Sequence, residues 1–419
     1  MDSRSHIPAL FIFIATAAIY LTFPTRVYYW DGIVFAQMIE GAGRLSPSLV
    51  HPNHLIYNFA GYLFYKLLRA LGVDIRALTA LQILNSLLSA LCARVLFSIL
   101  MDTLRSRYYA ICLTLLFAFS ATWWRFSVDA DAYIPSVLFV LISFYLVLPR
   151  RQPRPLLTAF TFFIAMAFHE LAVFMFPVLA LGIYLQDGPT TLTRRALNAV
   201  YFGVVTTALI VATYAGLFYL ASGSHDLARL FQWAHSYSPD ADTHFGLWSN
   251  LRYSLRGEVR LFVGGRFDSL RGLWNAGIVV LALCLIAALL IFVFKLVKNV
   301  RRVKLHLETR QKTVLLLSLL WTAVYVVFLF FWLPQNTFYR LFYLPALILL
   351  LGLALAPVKD ESRTLAAFVV AVALANFIFL IYPSSHQVYA RRTSPKRQTA
   401  SSYVAATDAP RRTAGREFH

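Results

Sequence analysis

The sequence predicts an all-α fold: a polytopic membrane helix bundle with about eleven transmembrane helices and outer juxtamembrane helices that lie along the bilayer surface. Of the 419 residues, 59% are hydrophobic and 14% are charged, whereas soluble domains carry about 25% charged residues. The mean hydropathy is +0.65. Apolar stretches of membrane-spanning length recur along the chain. No sizeable soluble domain fits between these stretches.

The elements of this bundle are the apolar runs, which share a near absence of charge and are bounded by polar or basic segments. They lie at 7–24, 53–71, 77–98, 108–125, 131–149, 155–168, 170–186, 197–221, 275–294, 313–333, 339–356 and 364–382. The runs 155–168 and 170–186 are short, which predicts a tight helical hairpin with His169 and Glu170 at its tip. We expect Glu170 to hold a basic partner such as Arg125 or Arg340.

The run 53–71 determines the topology, because every spanning helix reverses the side of all later loops. It contains Lys66 and Arg69 together with interfacial tyrosines, which favours a helix lying along the membrane. With the N-terminus inside, the basic loops are then cytoplasmic, as the positive-inside rule expects. If the run spans instead, those loops face outward. The non-spanning reading places three segments on the outer side: 25–76, 125–132 and 222–274.

The formal net charge of +19 does not indicate a nucleic-acid partner, because the Lys and Arg residues cluster in short loops between apolar runs. Cys92, Cys112 and Cys284 fall inside apolar runs, which is typical of small core residues and not of a disulfide framework. We expect residues 1–382 to form one transmembrane domain and residues 383–419 to form a basic, loosely ordered tail.

The most informative residues are the acids of the predicted outer loops, because carboxylates are costly near a membrane and usually mark function there. Asp31 follows the first apolar run, and Asp129 and Asp131 lie where two later runs meet. The structural alternative is helix capping: Asp31 would cap a short helix from Gly32, and the pair would cap the helix at 131–149. On the predicted topology all three face one compartment.

Two histidine motifs share that compartment. His51 and His54 are spaced i and i+3 around Pro52, so in a helical turn they share a face and, with a carboxylate, form a possible divalent metal site. The alternative is interfacial histidines bonded to loop backbone. His235 ends an amphipathic segment that we expect to lie flat on the outer surface, from which it reaches over the site as a second metal ligand beside His54.

Further candidates for substrate binding come from aromatic outer turns. Tyr29 belongs to an aromatic belt that places Asp31 at headgroup level. Arg340 and Asn336 lie in the turn between two late helices. A guanidinium at that position binds a phosphate in bidentate fashion, or it reaches out to the lipid headgroups.

Together these features resemble the GT-C superfamily, polytopic glycosyltransferases that use polyprenyl-phosphate sugars. The features are an acid in the first outer loop, a His-Pro motif before a juxtamembrane helix, acids in the second outer loop and a late outer loop with an arginine. The resemblance covers residues 8–350. It is greatest to the bacterial branch related to protein O-mannosyltransferases and the lipid A aminoarabinose transferase, which implies an integral, multi-pass protein of a bacterial inner (plasma) membrane.

The resemblance implies roles for individual residues. Asp31 matches the first-loop aspartate that acts as or near the catalytic base, and Asp129 matches the second-loop acid. Asp131 completes a D-x-D pattern as in oligosaccharyltransferase-like members. His235 lies in the long loop where some relatives supply a histidine to a divalent metal. A second acid expected in the first loop is replaced here by histidine, which puts the metal in doubt.

The implied reaction is an inverting transfer of a sugar from a polyprenyl-phosphate donor to a lipid, glycan or protein acceptor at the outer, extracytoplasmic face. Asp31 is the expected base and Asp129 the second catalytic acid. Asp131, His51, His54, Arg340, Asn336 and Tyr29 are the expected substrate-binding residues. The alternatives are a transporter or lipid flippase, and a non-catalytic scaffold. Transporters keep ionisable residues near the midplane, whereas the acids here collect at helix ends.

Overall fold

A computed structural model describes residues 6–149, 152–186, 191–236, 246–265, 276–302, 307–355 and 362–386. All regular elements in these ranges are helical. The predicted tail from 387 onward and parts of the predicted outer segment 222–274 lie outside the described residues. The α-helices are α1 His6–Thr22, α2 Trp30–Gly41, α3 Tyr57–Ala70, α4 Ala77–Leu104, α5 Arg107–Ala118, α6 Ala121–Ser127, α7 Tyr133–Leu146, α8 Pro155–Phe168, α9 Phe176–Tyr184, α10 Leu192–Ser222, α11 Leu227–His235, α12 Leu247–Phe262, α13 Ala276–Arg302, α14 Thr309–Trp332, α15 Leu344–Leu355, α16 Ser362–Asn376 and α17 Tyr382–Ser385.

The protein is an integral membrane protein. Within the described residues, four helical segments are long and apolar enough to cross a membrane: α4, α10, α14 and the segment Arg363–Ser385. A fifth is present if α5 and α6, which are bent by 67° relative to each other, form one broken span. Other apolar helices, such as α7 and α8, have 10–17 residues, fewer than the about 20 that a straight span requires. The predicted all-α membrane bundle is confirmed, and the number of about eleven spans stays a prediction.

The run 53–71 forms α3, which is not among these candidate spans. One face of α3 is buried through Tyr57, Asn58, Gly61 and Tyr62, while the opposite face exposes leucines, Leu67 among them. This one-sided burial is what a helix lying along a surface requires.

The centre of the bundle is α4, which packs against α1, α3, α5 and α7. Its side chains are buried on several sides, with Leu81, Ala90 and Leu96 at 0% exposure. Helix packing of this kind depends on close van der Waals contact of apolar side chains. Because neighbours surround α4 on several sides, polar groups on it are held in fixed positions.

The helices bring two sets of loops to opposite ends of the bundle. At one end, Arg105 pairs with Glu308 at 3.0 Å and the side chain of Gln311 donates to the carbonyl oxygen of Thr103 at 3.2 Å. At the other end, the backbone N–H of Thr25 donates to the carbonyl oxygen of Val128 at 3.1 Å. We call the second end, which carries Asp31, Asp129 and Asp131, the acidic end.

Polar side chains of α4 fix the segment 127–131 at the acidic end. The amide nitrogen of Asn85 donates to the carbonyl oxygens of Asp129 (2.9 Å) and Asp131 (2.7 Å). The amide nitrogen of Gln82 donates to the carbonyl oxygens of Thr25 (2.9 Å) and Val128 (3.1 Å). These bonds satisfy buried backbone carbonyls that lie outside any helix. They hold two sequence-distant segments against one helix.

We predict that Asn85→Ala lowers the free energy of unfolding by about 2–4 kcal/mol, because two buried carbonyl oxygens lose their donor. Thermal unfolding of the purified protein in detergent measures this change. Ser98→Ala on the same helix is the matched control, since its hydroxyl bonds only to the carbonyl oxygen of Arg94 one turn earlier, and it should leave the midpoint nearly unchanged. An equal shift in both variants would contradict the role given to Asn85.

Candidate functional site

Asp129 joins the first outer segment to the second. One carboxylate oxygen accepts a hydrogen bond from the backbone N–H of Tyr29 at 2.9 Å, and the other accepts from the backbone N–H of Ala130 at 2.8 Å. Its side chain is 1% exposed. Both oxygens are therefore occupied by backbone donors, and the residue fixes the position at which α2 begins.

Asp31 lies in the first turn of α2, one residue after the helix begins. The predicted capping role is not observed, because the N-cap position belongs to Tyr29 and no side chain caps the helix. The carboxyl of Asp31 is only partly buried. It is thus the acid of this group that is open to a ligand.

A close backbone approach holds α2 beside the second acidic segment. A Cβ atom at Gly32 would overlap the carbonyl oxygen of Ala130 and lie 3.0 Å from the Cβ of that residue. At the opposite end of α2, the side chain of Glu40 accepts from the backbone N–H of Ala77 at 2.9 Å and pairs with Arg76 at 2.6 Å. With both ends fixed, α2 presents Asp31 toward the segment 129–131.

Asp131 is buried at 1% exposure beside the other two acids. One of its oxygens accepts from the backbone N–H of Tyr133 at 3.4 Å. The other oxygen, Oδ2, has no hydrogen-bond partner among the described residues. The predicted capping of a helix at 131 is replaced by a helix that begins at Tyr133, with Ala132 at the N-cap position.

Burial raises the pKa of all three acids. The pKa of Asp31 is raised by burial alone, and burial raises that of Asp129 to about 7 against the hydrogen bonds from Ala130 and Tyr29, which lower it. The pKa of Asp131 is raised well above its usual range by burial and by repulsion from Asp31 and Asp129. The charges of Asp31 and Asp129 thus act on Asp131, so the three carboxyls lie close together. The rise in the pKa of Asp131 favours its neutral form.

Aromatic rings form the wall of the pocket. Tyr29 packs against Phe338 with ring centroids 5.2 Å apart, and Tyr133 packs against Phe338 at 5.3 Å and Tyr339 at 5.6 Å. The charge of Asp31 acts on Tyr29 and on Tyr339. The late turn that contains Asn336 therefore closes over the acids of the first two outer segments.

A cluster of three histidines adjoins this wall. The rings of His51 and His54 stack with centroids 5.0 Å apart, and His54 meets His169 at 4.7 Å. His169 in turn packs against Tyr133 at 4.8 Å. The expected turn is present, because the backbone N–H of His54 donates to the carbonyl oxygen of His51 at 3.1 Å, although α3 itself begins later, at Tyr57. The participation of His169 could not be read from the sequence, since it depends on how the hairpin tip packs.

The hydrogen bonds of the histidines define their tautomers. The carbonyl oxygen of Phe168 only accepts, so His54 donates to it through Nδ1 at 3.2 Å and keeps Nε2 as an acceptor. The N–H groups of Leu171 and Asn53 donate to Nδ1 of His169 (3.1 Å) and His51 (3.3 Å), which leaves Nε2–H donors on those two rings. Burial lowers the pKa of His51 to about 4 and of His54 to about 3. The cluster is neutral at pH 7.

Arg340 is not open to a phosphate. It is 1% exposed and pairs with Glu258 of α12. Four of its five N–H groups are used within the protein, on Glu258, Tyr343 and the carbonyl oxygens of Pro334 and Asn336. The predicted pairing of Glu170 with Arg340 is therefore wrong. Arg340 instead fixes α12 against the late turn, and Asn336 takes part through its backbone.

Arg125 is the exposed cation of the pocket. It lies at the end of α6, its side chain is exposed, and its charge acts on both Tyr29 and Asp129. From the sequence, Arg125 was expected only as a partner of Glu170. Its position three residues before the segment 128–132 was the available signal.

The described residues do not fit a divalent metal. His54 packs with the other two histidines, whereas His235 lies beside Glu170 at a separate cavity. No group of three or more His, Cys, Asp or Glu side chains in the described ranges is arranged to hold a metal ion. The predicted joint ligation of a metal by His54 and His235 is not formed, because the two side chains lie at separate places.

Comparisons with known proteins add the following. No protein-family model matches the chain, and no curated protein matches it. Among solved structures, the chain is similar to the crystal structure of the Archaeoglobus fulgidus oligosaccharyltransferase in complex with Zn and sulfate, with a TM-score of 0.46 and 12% sequence identity. The similarity covers 95% of this chain and 56% of that chain. The function must therefore be derived from the site itself.

We predict that Gly32→Ala destabilises the protein by about 2 kcal/mol or more, because the new methyl group meets a backbone carbonyl that cannot move aside. Gly41→Ala at the far end of α2 is the matched control. A Cβ there has nothing within 4 Å, so its effect should stay within about 1 kcal/mol. Thermal unfolding of both variants tests the close approach, and equal midpoints would disprove it.

The raised pKa of Asp129 implies that the free energy of unfolding depends on pH. Its pKa is about 7 in the folded protein against an ordinary 3.8, so the folded state binds the proton more tightly than the unfolded state. The stabilisation is complete below the ordinary pKa and is lost as the pH rises through about 7, with a slope of at most about 1.4 kcal/mol per pH unit.

Asp129→Asn removes this titration. We expect the stability of the wild type relative to Asp129→Asn to fall as the pH is raised from 4 to 7, measured by thermal unfolding at each pH. A difference that stays constant, or that grows with pH, would contradict the burial of this carboxyl.

Proposed function

We propose that the protein is a membrane glycosyltransferase that moves a sugar from a polyprenyl-phosphate donor to an acceptor at the acidic end of the bundle. The observation that carries the proposal is the convergence of Asp31, Asp129 and Asp131 into one pocket. Only one of the three acids is partly exposed, and an exposed cation lies beside the pocket. A base next to a phosphate-binding cation is what transfer from a sugar phosphate needs.

Asp31 acts as the base in this proposal. It accepts the proton of the acceptor hydroxyl while the hydroxyl oxygen attacks the anomeric carbon. The bond between that carbon and the phosphate oxygen breaks, and its electron pair leaves with the polyprenyl phosphate. Attack opposite to the leaving group inverts the configuration at the anomeric carbon. The raised pKa of Asp31 supports this role, because it makes the carboxylate a stronger base.

Asp129 and Asp131 are proposed as positioning residues. Asp129 holds the backbone of Tyr29 at 2.9 Å, two residues before the base. Asp131, when protonated, adds no second negative charge beside Asp31, so the base is the carboxyl that ionises. Direct contact of either residue with the sugar, which the sequence predicts, would need the pocket to open, since both are 1% exposed.

We propose Arg125 as the group that stabilises the leaving phosphate, in place of Arg340. A guanidinium that is exposed and free to form two parallel hydrogen bonds suits a phosphate. The neutral histidine cluster is proposed to support the wall of the pocket. His54 and His169 are 7% and 2% exposed, so their contact with sugar hydroxyls would also need the pocket to open.

The proposed location of this reaction is the extracytoplasmic face of a bacterial inner membrane. The positive-inside rule supports it, because the opposite end carries the basic loops with Arg105 and Arg310. A count of about eleven spans belongs to the same proposal. A transporter is less well supported, because its ionisable groups are expected near the midplane and the acids here lie outside the candidate spans.

We predict that Asp31→Asn lowers sugar transfer by about 100- to 10,000-fold, because the base can no longer take the proton. The assay is transfer from a panel of radiolabelled polyprenyl-phosphate sugars, with the full chain in proteoliposomes. Asp74→Asn is the matched control, since Asp74 is an exposed acid that pairs with Arg69 at 3.3 Å, and it should keep wild-type transfer.

Two outcomes would contradict the proposal, and a third tests the control. Full activity of Asp31→Asn would remove Asp31 as the base. An absence of transfer from every donor of the panel by the wild type would count against glycosyl transfer itself. Loss of activity in Asp74→Asn as well would show a general defect of acidic substitutions.

A further inference from the structure

A cavity separate from the acidic pocket lies between the hairpin tip, α10 and α11. Its volume is about 390 Å³. Its wall is mainly apolar and comes from α11, and its polar groups are Glu170, Tyr214 and His235. The apolar lining residues are Leu227, Leu230, Phe231 and Ala234. Its shape and lining suit an amphiphile, with a hydrocarbon part along α11 and a polar part toward the hairpin tip.

Glu170 determines which polar group fits. Its side chain is half-buried, and its carboxylate has no hydrogen-bond or ion-pair partner among the described residues. Burial raises the pKa of Glu170 to about 7, and the neighbouring His235 lowers it. The ionised carboxylate accepts from an ammonium or a hydroxyl group and repels a phosphate, and the protonated carboxyl also donates to a hydroxyl group.

The charge of the cavity lining distinguishes the two substrates of the proposed reaction, the donor and the acceptor. A polyprenyl-phosphate donor places its phosphate beside a cation, and the cavity lining contributed by the described residues includes neither Lys nor Arg. Arg125 lies at the acidic pocket instead. The cavity is therefore suited to the acceptor and not to the donor.

The helices around the cavity indicate how a ligand reaches it. One wall is α10, a candidate span of which only 11% of the apolar window is buried inside the protein. Val211 and Leu220, on the same half of α10 as Tyr214, are exposed. The other wall is α11, an amphipathic helix with Leu227 and Phe231 exposed at 77% and 66%. A cavity bounded by two such helices opens toward lipid, so its ligand arrives through the bilayer.

The cavity lies near the acidic pocket. The charges of both Glu170 and Asp31 act on Tyr339. His169, the residue before Glu170, lies 5.9 Å from the ring of Tyr339 and 4.8 Å from that of Tyr133. The hydroxyl of Tyr214 donates to the carbonyl oxygen of Pro52 at 2.9 Å and ties the cavity to the histidine segment.

We propose that this cavity is the acceptor site and that the acceptor is a membrane-borne amphiphile whose polar end carries an ammonium or hydroxyl group held by Glu170. The identity of the site as an acceptor site rests on the proposed glycosyl transfer. The binding preference for such amphiphiles does not, because it follows from the lining of the cavity alone.

The test uses the full chain in nanodiscs and three photoreactive C12 probes that differ only in the polar end: an amine, an alcohol and a carboxylate. Labelled positions are mapped by peptide mass spectrometry. We expect the amine and the alcohol to label α10 and α11 around Tyr214 and Phe231, and the amine to exceed the carboxylate by about tenfold. Glu170→Gln should abolish the advantage of the amine.

Two variants complete the test. Ala234→Trp fills the cavity and should remove labelling there by all three probes, while Glu308→Gln at the opposite end should change nothing. Equal labelling by all probes, or an amine preference that survives Glu170→Gln, would overturn the binding preference. Failure of the wild type to transfer any sugar, with the labelling pattern intact, would instead count against the proposed function and leave the cavity as a binding site.

Discussion

The hydrogen bond from the backbone N–H of Tyr29 to the carboxylate of Asp129 is the contact on which the arrangement of the acidic end depends. It joins two segments that are 100 residues apart in sequence. It also fixes the start of α2, and therefore the direction of Asp31. The close approach of Gly32 to Ala130 and the bonds from Asn85 on α4 keep the second segment in place. Without this set of contacts, the three acids would have no reason to share a pocket.

Gathering three carboxyls in a partly buried site has a free-energy cost, because both burial and mutual repulsion disfavour the charged forms. The protein offsets part of this cost with backbone donors to both carboxylate oxygens of Asp129. Burial and repulsion raise the pKa of Asp131, which favours its neutral form. Asp31 is the acid of the three that is partly exposed. The neutral histidine cluster extends the pocket without adding charge.

The sequence was sufficient to predict the helical membrane bundle, because apolar runs of spanning length leave few alternatives. It also indicated that Asp31, Asp129 and Asp131 meet, since the charge bias of the loops constrains which loops share a side. The same bias, with the polar residues within the run, predicts that α3 does not span the membrane.

The details of pairing could not be predicted. Helices that are apolar on all sides give no periodic signal for their rotation, so the meeting of His169 with His54 and of Arg340 with Glu258 was not visible in the sequence. The exposed guanidinium beside the acids belongs to Arg125. The separation of His235 from His54 has the same origin, because α11 docks on the hairpin tip and not on the histidine cluster.

The most direct test of a shared acidic pocket is infrared difference spectroscopy of the full chain, which detects the carbonyl stretch of a protonated carboxylic acid. We predict that one component of this band disappears in Asp131→Asn and titrates at lower pH in Asp31→Asn, because the repulsion from Asp31 is then removed. A band from Asp131 whose titration is the same with and without the Asp31 carboxyl would show that the two acids do not share a pocket.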